Sequence, residues 1–390
     1  MAAAKSQKSK SEASKRKTPK NVQKKIRYGV VGLGHIAQTA VLPAFKHASK
    51  NSVLTALVTH DPKKAKQLSA KYKVKHVYDY ENFGELLTDD VVDALYICLP
   101  NNLHVDFTVE ALKAGIHVLC EKPLALTEEE VAEMKAAADK GRAKLMTAYR
   151  LHFEPSNLKA IDICKSGKLG NLRHFSSDFS YLIKDPDNIR LQKAKGGGPL
   201  WDIGIYCINA ARSIFQQEPI EVFAYESQGR SEKFNEVEEM VSAVLRFPNE
   251  KVATFTCSFG CASTADYKVY GTKGSLQLEK AYEYATPRKL VVKMEDGPEK
   301  VTKFSKNDQF APEIVYFSEA ILKNRVIEPG VEEGLADVRV IRALIESIEK
   351  NRSIEVEQIK SDRMRPNGKM KNVFPGISEP KQINVTSPSK

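Results

Sequence analysis

The 390 residues, 42% hydrophobic and 28% charged, exceed what one hydrophobic core fills and have the make-up of a globular chain with two folded domains plus tails. The formal charge of +11 sits at the ends: residues 1–27 carry +9 and residues 358–390 carry +5, which leaves the body at −3 and excludes a basic nucleic-acid-binding body. No run of about 18 apolar residues is present to span a bilayer, and the first thirty residues lack the apolar segment of a secretory signal, so a cytoplasmic protein without a membrane partner is expected.

Residues 1–25 are too polar to offset the cost of ordering them and are expected to form a disordered basic tail. An arm such as Lys5 to Arg27 could touch nucleic acid or anionic lipid, but a solubilising tail is the simpler reading. From Ile26 onward, short apolar runs alternate with amphipathic stretches. Strands are expected at 26–31, 53–58, 94–99, 117–120 and 144–148, with helices at 38–48, 62–72, 104–114 and 127–140 between them. Asp61-Pro62 reads as a helix cap followed by proline, and Thr127 through Glu130 as a capping box. The pattern predicts an α/β fold whose domain 26–149 is a doubly wound, dinucleotide-binding sheet.

The first turn, Gly29-Val30-Val31-Gly32-Leu33-Gly34-His35-Ile36-Ala37, places Gly32, Gly34 and Ala37 on the G-x-G-x-x-G/A fingerprint. Gly32 allows the tight turn, Gly34 lets the backbone approach a pyrophosphate, and Ala37 lets the helix pack close with its N-terminus toward the anion. His35 and Ile36 share that turn. At the end of the second strand, where an acid would bond a ribose 2′-hydroxyl, stand Thr59 and His60. Asp61 lies late and reads as the cap, and Lys63 and Lys64 follow, so NADP is favoured over NAD, with NAD left open. Lysines on an exposed helix face are also commonly just solvated.

Beyond about Gly170 the alternation gives way to long strand-like runs at 221–225, 240–247, 252–259, 267–271 and 275–278. An α+β domain over 150–357 is expected, its open and largely antiparallel sheet covered on one face by helices 203–215 and 312–323. Residues 358–390 read as a second basic tail, also expected to be disordered. Cys98, Cys120, Cys207 and Cys257 lie in apolar runs, and Cys257 and Cys261 would sit about 13 Å apart on a strand, so reduced thiols are expected. The eight histidines show no ligand-like spacing, and no metal site is expected.

Several segments fall where such a fold carries its chemistry. They are Leu99-Pro100-Asn101-Asn102-Leu103-His104, Cys120-Glu121-Lys122-Pro123, Tyr149-Arg150-x-His152-x-x-Pro155, Gly196-Gly197-Gly198-Pro199-Leu200-Trp201-Asp202-Ile203-Gly204-Ile205-Tyr206 and Glu333-Gly334-x-x-Asp337-Val338-Arg339. With the glycine turn they resemble the Gfo/Idh/MocA oxidoreductases over about residues 26–350. Within that family the glucose–fructose oxidoreductase branch is most similar, because Asp202-Ile203-Gly204-Ile205-Tyr206 ends in tyrosine and Asn307-Asp308-Gln309-Phe310 matches. The twin-arginine signal and N-terminal arm of periplasmic members have no likeness here.

The resemblance implies a Rossmann domain, hydride transfer between NAD(P) and a sugar-like substrate, and Lys122, Asp202 and Tyr206 as the catalytic set. It further implies that Pro100, Asn101 and His104 line the nicotinamide end with Glu121 nearby, and Arg150 and Arg190 as further cofactor contacts. Read from the residues alone, Asp202 and Tyr206 are four apart in a helix and share a face. A hydroxyl losing hydride from its carbon must also lose a proton. Free tyrosine, at about 10, is too basic to be ionised at neutrality, and a neighbouring ammonium lowers that value. Tyr206 is therefore expected as proton carrier, Lys122 as its electrostatic partner, and Asp202 as the group that orients them.

Bland readings stand beside these. Glu121-Lys122-Pro123 could be a plain strand end, Tyr206 a core aromatic satisfied by Asp202, Asn101 or Asn102 a helix cap, and His104 a first-turn residue. A homodimer or homotetramer is expected from the open sheet face, since relatives bury it against a second subunit. A dihydrodiol or sugar-alcohol dehydrogenase of the same family, or a nucleotide-sensing protein without turnover, are the alternatives in function.

Overall fold

The computed structural model describes residues 24–229, 231–359, 372–385, 387 and 388. The N-terminal tail expected over 1–25 thus lies almost wholly outside the described residues, as do residues 360–371 of the second tail. Among the described residues the chain forms two main sheets, and no helix is long and apolar enough to cross a membrane.

The first sheet is parallel and runs in the order β3-β2-β1-β4-β5-β6. Its strands are β1 (Ile26–Val31), β2 (Ser52–Val58), β3 (His76–Tyr78), β4 (Ala94–Ile97), β5 (His117–Glu121) and β6 (Leu145–Ala148). The order reverses between β1 and β4, which opens a crevice beyond their carboxyl ends, the place where such sheets bind ligands. β3 went unanticipated: with three residues, an exposed His76 and little apolar content, it carries no period-2 signal. The expected caps form. Asp61 Oδ1 accepts the amides of Lys63 and Lys64 at 2.9 and 3.0 Å, and Thr127 and Glu130 close a capping box on Glu128–Gly141.

The second sheet is open, in the order β14-β13-β12-β11-β7-β10-β9-β8-β16. Its strands are β7 (Leu172–Ser180), β8 (Glu221–Ser227), β9 (Met240–Phe247), β10 (Lys251–Ser258), β11 (Thr264–Gly271), β12 (Gly274–Glu279), β13 (Arg288–Met294), β14 (Lys300–Phe304) and β16 (Ile354–Glu355). Neighbours are antiparallel except β7 with β10. The helix Ile205–Phe215 buries Cys207, Ile208, Ala211, Ile214 and Phe215 against this sheet, with the Phe215 ring edge-on to Phe247 at 4.9 Å.

The other helix assigned to this face lies elsewhere. Phe310–Leu322 packs Phe310, Ala311, Ile314 and Phe317 on the first sheet, beside Tyr28 and Val30, and Ser318 Oγ sits 2.8 Å from both Tyr28 Oη and Ser52 Oγ. The apolar stripe of that helix is real, but a stripe does not say which sheet it covers. The last long helix, Val331–Lys350, joins both cores, with Val338 in one and Ile341 and Leu344 in the other.

A buried ion cluster locks this helix to Ile205–Phe215. The fully buried Arg212 guanidinium contacts Glu218, Glu333 and Asp337, and Asn209 Nδ2 donates to Glu333 and Asp337 at 2.9 Å each. Burial raises the Asp337 carboxyl to about 6 against the pull of Arg212.

The expectation of a disordered C-terminal tail fails for residues 372–385. A short strand β17 (Phe374–Pro375) pairs antiparallel with β15 (Asn307–Asp308), and Phe374 stacks on His47 at 5.4 Å. Ile377 and Ile383 pack on the first domain's core, giving this stretch the apolar anchor that its overall polarity concealed.

Candidate active site

The crevice at the β1/β4 switch is a cleft of about 700 Å³ between the two sheets, within the roughly 300–1,000 Å³ of small-molecule sites. Its floor is the glycine turn. Gly32 has φ +88°, and a Cβ there would meet Cys98 O at 2.7 Å, so only glycine fits. At Gly34 a Cβ would meet nothing within 4 Å. The backbone at Gly34 therefore faces open space, a cradle that a side chain would fill. The helix after the turn begins as a π-helix over Ala37–Val41, a wide turn that sequence periodicity does not reveal.

Twelve of the thirteen residues expected at the cofactor line this one cleft: Gly32, Gly34, His35, Ile36, Thr59, Lys64, Pro100, Asn101, Glu121, Lys122, Arg150 and Arg190. His104 does not. It is fully buried, and its ring nitrogens lie 2.8 Å from Pro123 O and 3.0 Å from Leu99 O, so it ties the two strand-end loops together from behind. Burial lowers its pKa while the two carbonyl contacts raise it, and a neutral ring, with one N–H, donates to only one of the two carbonyls. Asn101 serves as no cap either: Pro100 precedes the short helical turn, and Asn101 Nδ2 donates to Gly196 O at 2.8 Å, fastening the β4 loop to the glycine run.

Lys122, Asp202 and Tyr206 converge on the wall where the two sheets meet. Lys122 Nζ donates to Asp202 O at 2.8 Å, lies 3.5 Å from Asp202 Oδ1, and sits 4.8 Å from the centre of the Tyr206 ring. Arg150 approaches the same ring at 4.9 Å. Asp202 Oδ2 accepts from Tyr181 Oη and from Arg190 Nε, both at 2.7 Å. Burial works to raise the Asp202 carboxyl, but Arg190, Lys122 and the Tyr181 hydroxyl together hold it well below the usual carboxylate range.

Two expectations are thereby adjusted. The tyrosine bonded to Asp202 is Tyr181, not Tyr206, and Arg190 is an ion partner of Asp202 in addition to lining the cleft. Asp202 stands in a second π-helix, Leu200–Gly204, that runs into Ile205–Phe215, so the two site residues do not sit on one regular α-helical face.

The partners that hold two of these cleft residues, Arg150 and Glu121, were not anticipated. Arg150 is held by Gln309 Oε1 and by Tyr282 O at 2.6 Å, and faces the Tyr284 ring at 5.4 Å. The buried Tyr96 hydroxyl lies between Glu121 Oε1 at 3.0 Å and Glu313 Oε1 at 2.7 Å. One phenolic proton serves one carboxyl, so the other contact needs a protonated acid; burial raises both Glu313 and Glu121, Glu313 well above its ordinary value. These partners come from distant parts of the chain and leave no local pattern.

A family model described as the oxidoreductase family with an NAD-binding Rossmann fold matches residues 26–149, and one for the GFO/IDH/MocA C-terminal domain matches residues 157–277. Among solved structures, the aldose-aldose oxidoreductase from Caulobacter crescentus complexed with glycerol is 35% identical with a TM-score of 0.81, covering 85% of this chain and all of that one. A 3-ketoreductase from Actinomadura kijaniata in complex with NADP and TDP-benzene is 28% identical with a TM-score of 0.76, covering 83% of this chain and 98% of that one. A D-xylose 1-dehydrogenase [NADP(+)] of Haloarcula marismortui is 29% identical over 338 residues, 85% of this chain and 93% of its own length.

Proposed function

The chain belongs to the Gfo/Idh/MocA oxidoreductase family, and from that premise we propose that it is an NADP-dependent enzyme oxidising or reducing one CH–OH carbon of an aldose-like sugar. The observation that carries this reading is the convergence of Lys122, Asp202 and Tyr206 beside a cleft floored by the glycine turn. The open cradle at Gly34 and the turn at Gly32 fit a dinucleotide pyrophosphate. When bound, the nicotinamide supplies the hydride donor or acceptor.

The chain's own groups do the rest. Thr59, His60 and Lys64 line the cleft after β2, where the Asp61 carboxylate is engaged by the Lys63 and Lys64 amides and by Asn384; this supports NADP over NAD. Tyr206 Oη carries the hydroxyl proton. Lys122 and Arg150, both against its ring, stabilise negative charge developing on oxygen there. Asp202, kept ionised, fixes the Lys122 ammonium. The aldose-aldose oxidoreductase and the D-xylose 1-dehydrogenase among its relatives support the substrate class, and the NADP(+) in the name of the second supports the cofactor.

Outward-facing Tyr225, Val244 and Tyr270 on the second sheet support a homo-oligomer with a dimer as its minimal unit. Six unbridged cysteines fit a reducing, cytoplasmic setting. The deciding experiment purifies the protein without added cofactor, identifies any nucleotide released on denaturation, and assays the protein with NADP and NAD against a panel of aldoses. Aldose-dependent NADP turnover is expected. Absence of turnover with every aldose and both nucleotides overturns the reading.

A further inference from the structure

The cleft has a wall that neither family model covers. Residues Glu379, Asn384, Val385, Ser387 and Pro388 line it beside the glycine turn, more than 100 residues past the end of the C-terminal family match at 277. The segment is fastened at several points along the cleft margin, the main one on the flank of that turn.

The main clasp is Gln38, only 1% exposed, in the π-helix that follows Gly34. Its Nε2 donates to Ile383 O at 2.9 Å and its Oε1 accepts from Ile383 N at 2.8 Å, so one side-chain amide pairs with the backbone of residue 383 as a neighbouring strand would. The same Nε2 also donates to Leu33 O at 2.9 Å, inside the glycine turn itself. On either side, Gln382 Oε1 lies 3.1 Å from His35 Nδ1, and Asn384 Nδ2 donates to Asp61 Oδ2 at 3.0 Å. Upstream, β17 on β15 and the Phe374–His47 stack fix where the segment enters.

We propose that residues 379–385 are a cofactor-retaining strap along one wall of the dinucleotide cleft beside the glycine turn, so that nucleotide leaves slowly while this segment is in place and faster when it lifts. The inference rests on the dinucleotide reading of the cleft. Its geometry is that of a wall and not of a plug: the fastenings reach His35, Gln38 and Asp61 at the margins, and a cleft of about 700 Å³ remains beside the strap. Lifting the strap exposes Ile383 and breaks four hydrogen bonds to these margins, a cost that adds to the barrier for nucleotide release and leaves the reacting groups at Tyr206 untouched. Differences in retention between related complexes reside mostly in the dissociation rate.

The test loads the full chain with NADPH, chases it with excess NADP, and follows release by NADPH fluorescence. Two variants are compared with the wild type: Ile383→Pro, which deletes the amide that Gln38 accepts, and a chain ending at residue 371. Release faster by about tenfold or more in Ile383→Pro, with its thermal midpoint near that of wild type, is expected; the shortened chain should match or exceed it. Unchanged release from variants that bind NADPH overturns the strap and leaves the functional reading standing. Slower release or tighter binding overturns it too, because the segment would then be competing for the cleft. A wild-type chain that takes up neither NADPH nor NADH overturns the functional reading, and the strap with it.

Discussion

Two cations and a hydroxyl meet at the Asp202 carboxylate, and they contribute differently. Arg190 and Lys122 bring charge, while Tyr181 brings a neutral donor whose loss leaves both ion pairs in place. Tyr206→Phe is therefore expected to lower kcat by roughly 10²–10⁴ with nucleotide affinity nearly unchanged, and Tyr181→Phe by only about tenfold. Lys122→Ala should abolish turnover while leaving nucleotide binding largely intact. Steady-state kinetics beside equilibrium NADPH titration checks all three, and wild-type turnover in Lys122→Ala would remove that residue from the mechanism. Lys122, Asp202 and Tyr206 were legible because each sits in a short motif at a strand end or helix start. Tyr181, Gln309 and Glu313 were not, because their roles exist only once remote segments meet. His104 shows the opposite error: its place after β4 suggested the cleft, but its ring turns inward to two carbonyls.

At the scale of elements, the helix bearing the site is set by what lies behind its start. Gly196 has φ +72°, and a Cβ there would meet Asn101 Cβ at 2.8 Å, so the glycine run packs hard on the β4 loop. Behind the run, the Leu200 amide bonds Glu238, whose carboxyl burial pushes up to about 7. An acid raised on folding binds more protons in the native than in the unfolded state between about 4.5 and 7, so stability falls as pH rises through that window and is level above it. Glu238→Gln should flatten that decline, as read from urea midpoints at pH 5, 6, 7 and 8; an unchanged slope would refute the assignment. Arg212→Leu strands Glu333 and Asp337 in the core and should cost about 3–5 kcal/mol by the same measurement. Helix and strand periods exposed most elements of the first sheet, including Pro62–Tyr72 to the residue. They were silent on the two π-helices, which need hydrogen-bond geometry to be seen, and on β7, where apolar and polar residues mix without a clean period.

For the whole molecule, the outer face of the second sheet shows Tyr225 at 63% and Val244 and Tyr270 at 43% exposure, a surface suited to a second copy. Sedimentation at micromolar concentration should return a dimer or a multiple of it, and a monodisperse monomer would count against the proposed assembly. The path of the chain between the two sheets has another consequence. The first sheet is threaded by residue 148, yet the helix that covers Tyr28 and Val30 runs from Phe310 to Leu322. As the polypeptide leaves the ribosome, about 160 residues must emerge before that apolar face is fully shielded, because the earlier segment at 37–45, with Phe45 edge-on to Tyr28 at 5.4 Å, covers only part of it. A fragment stopped after residue 149 should accordingly aggregate, and nascent chains should depend on holding chaperones until the helix at 310–322 is free of the exit tunnel.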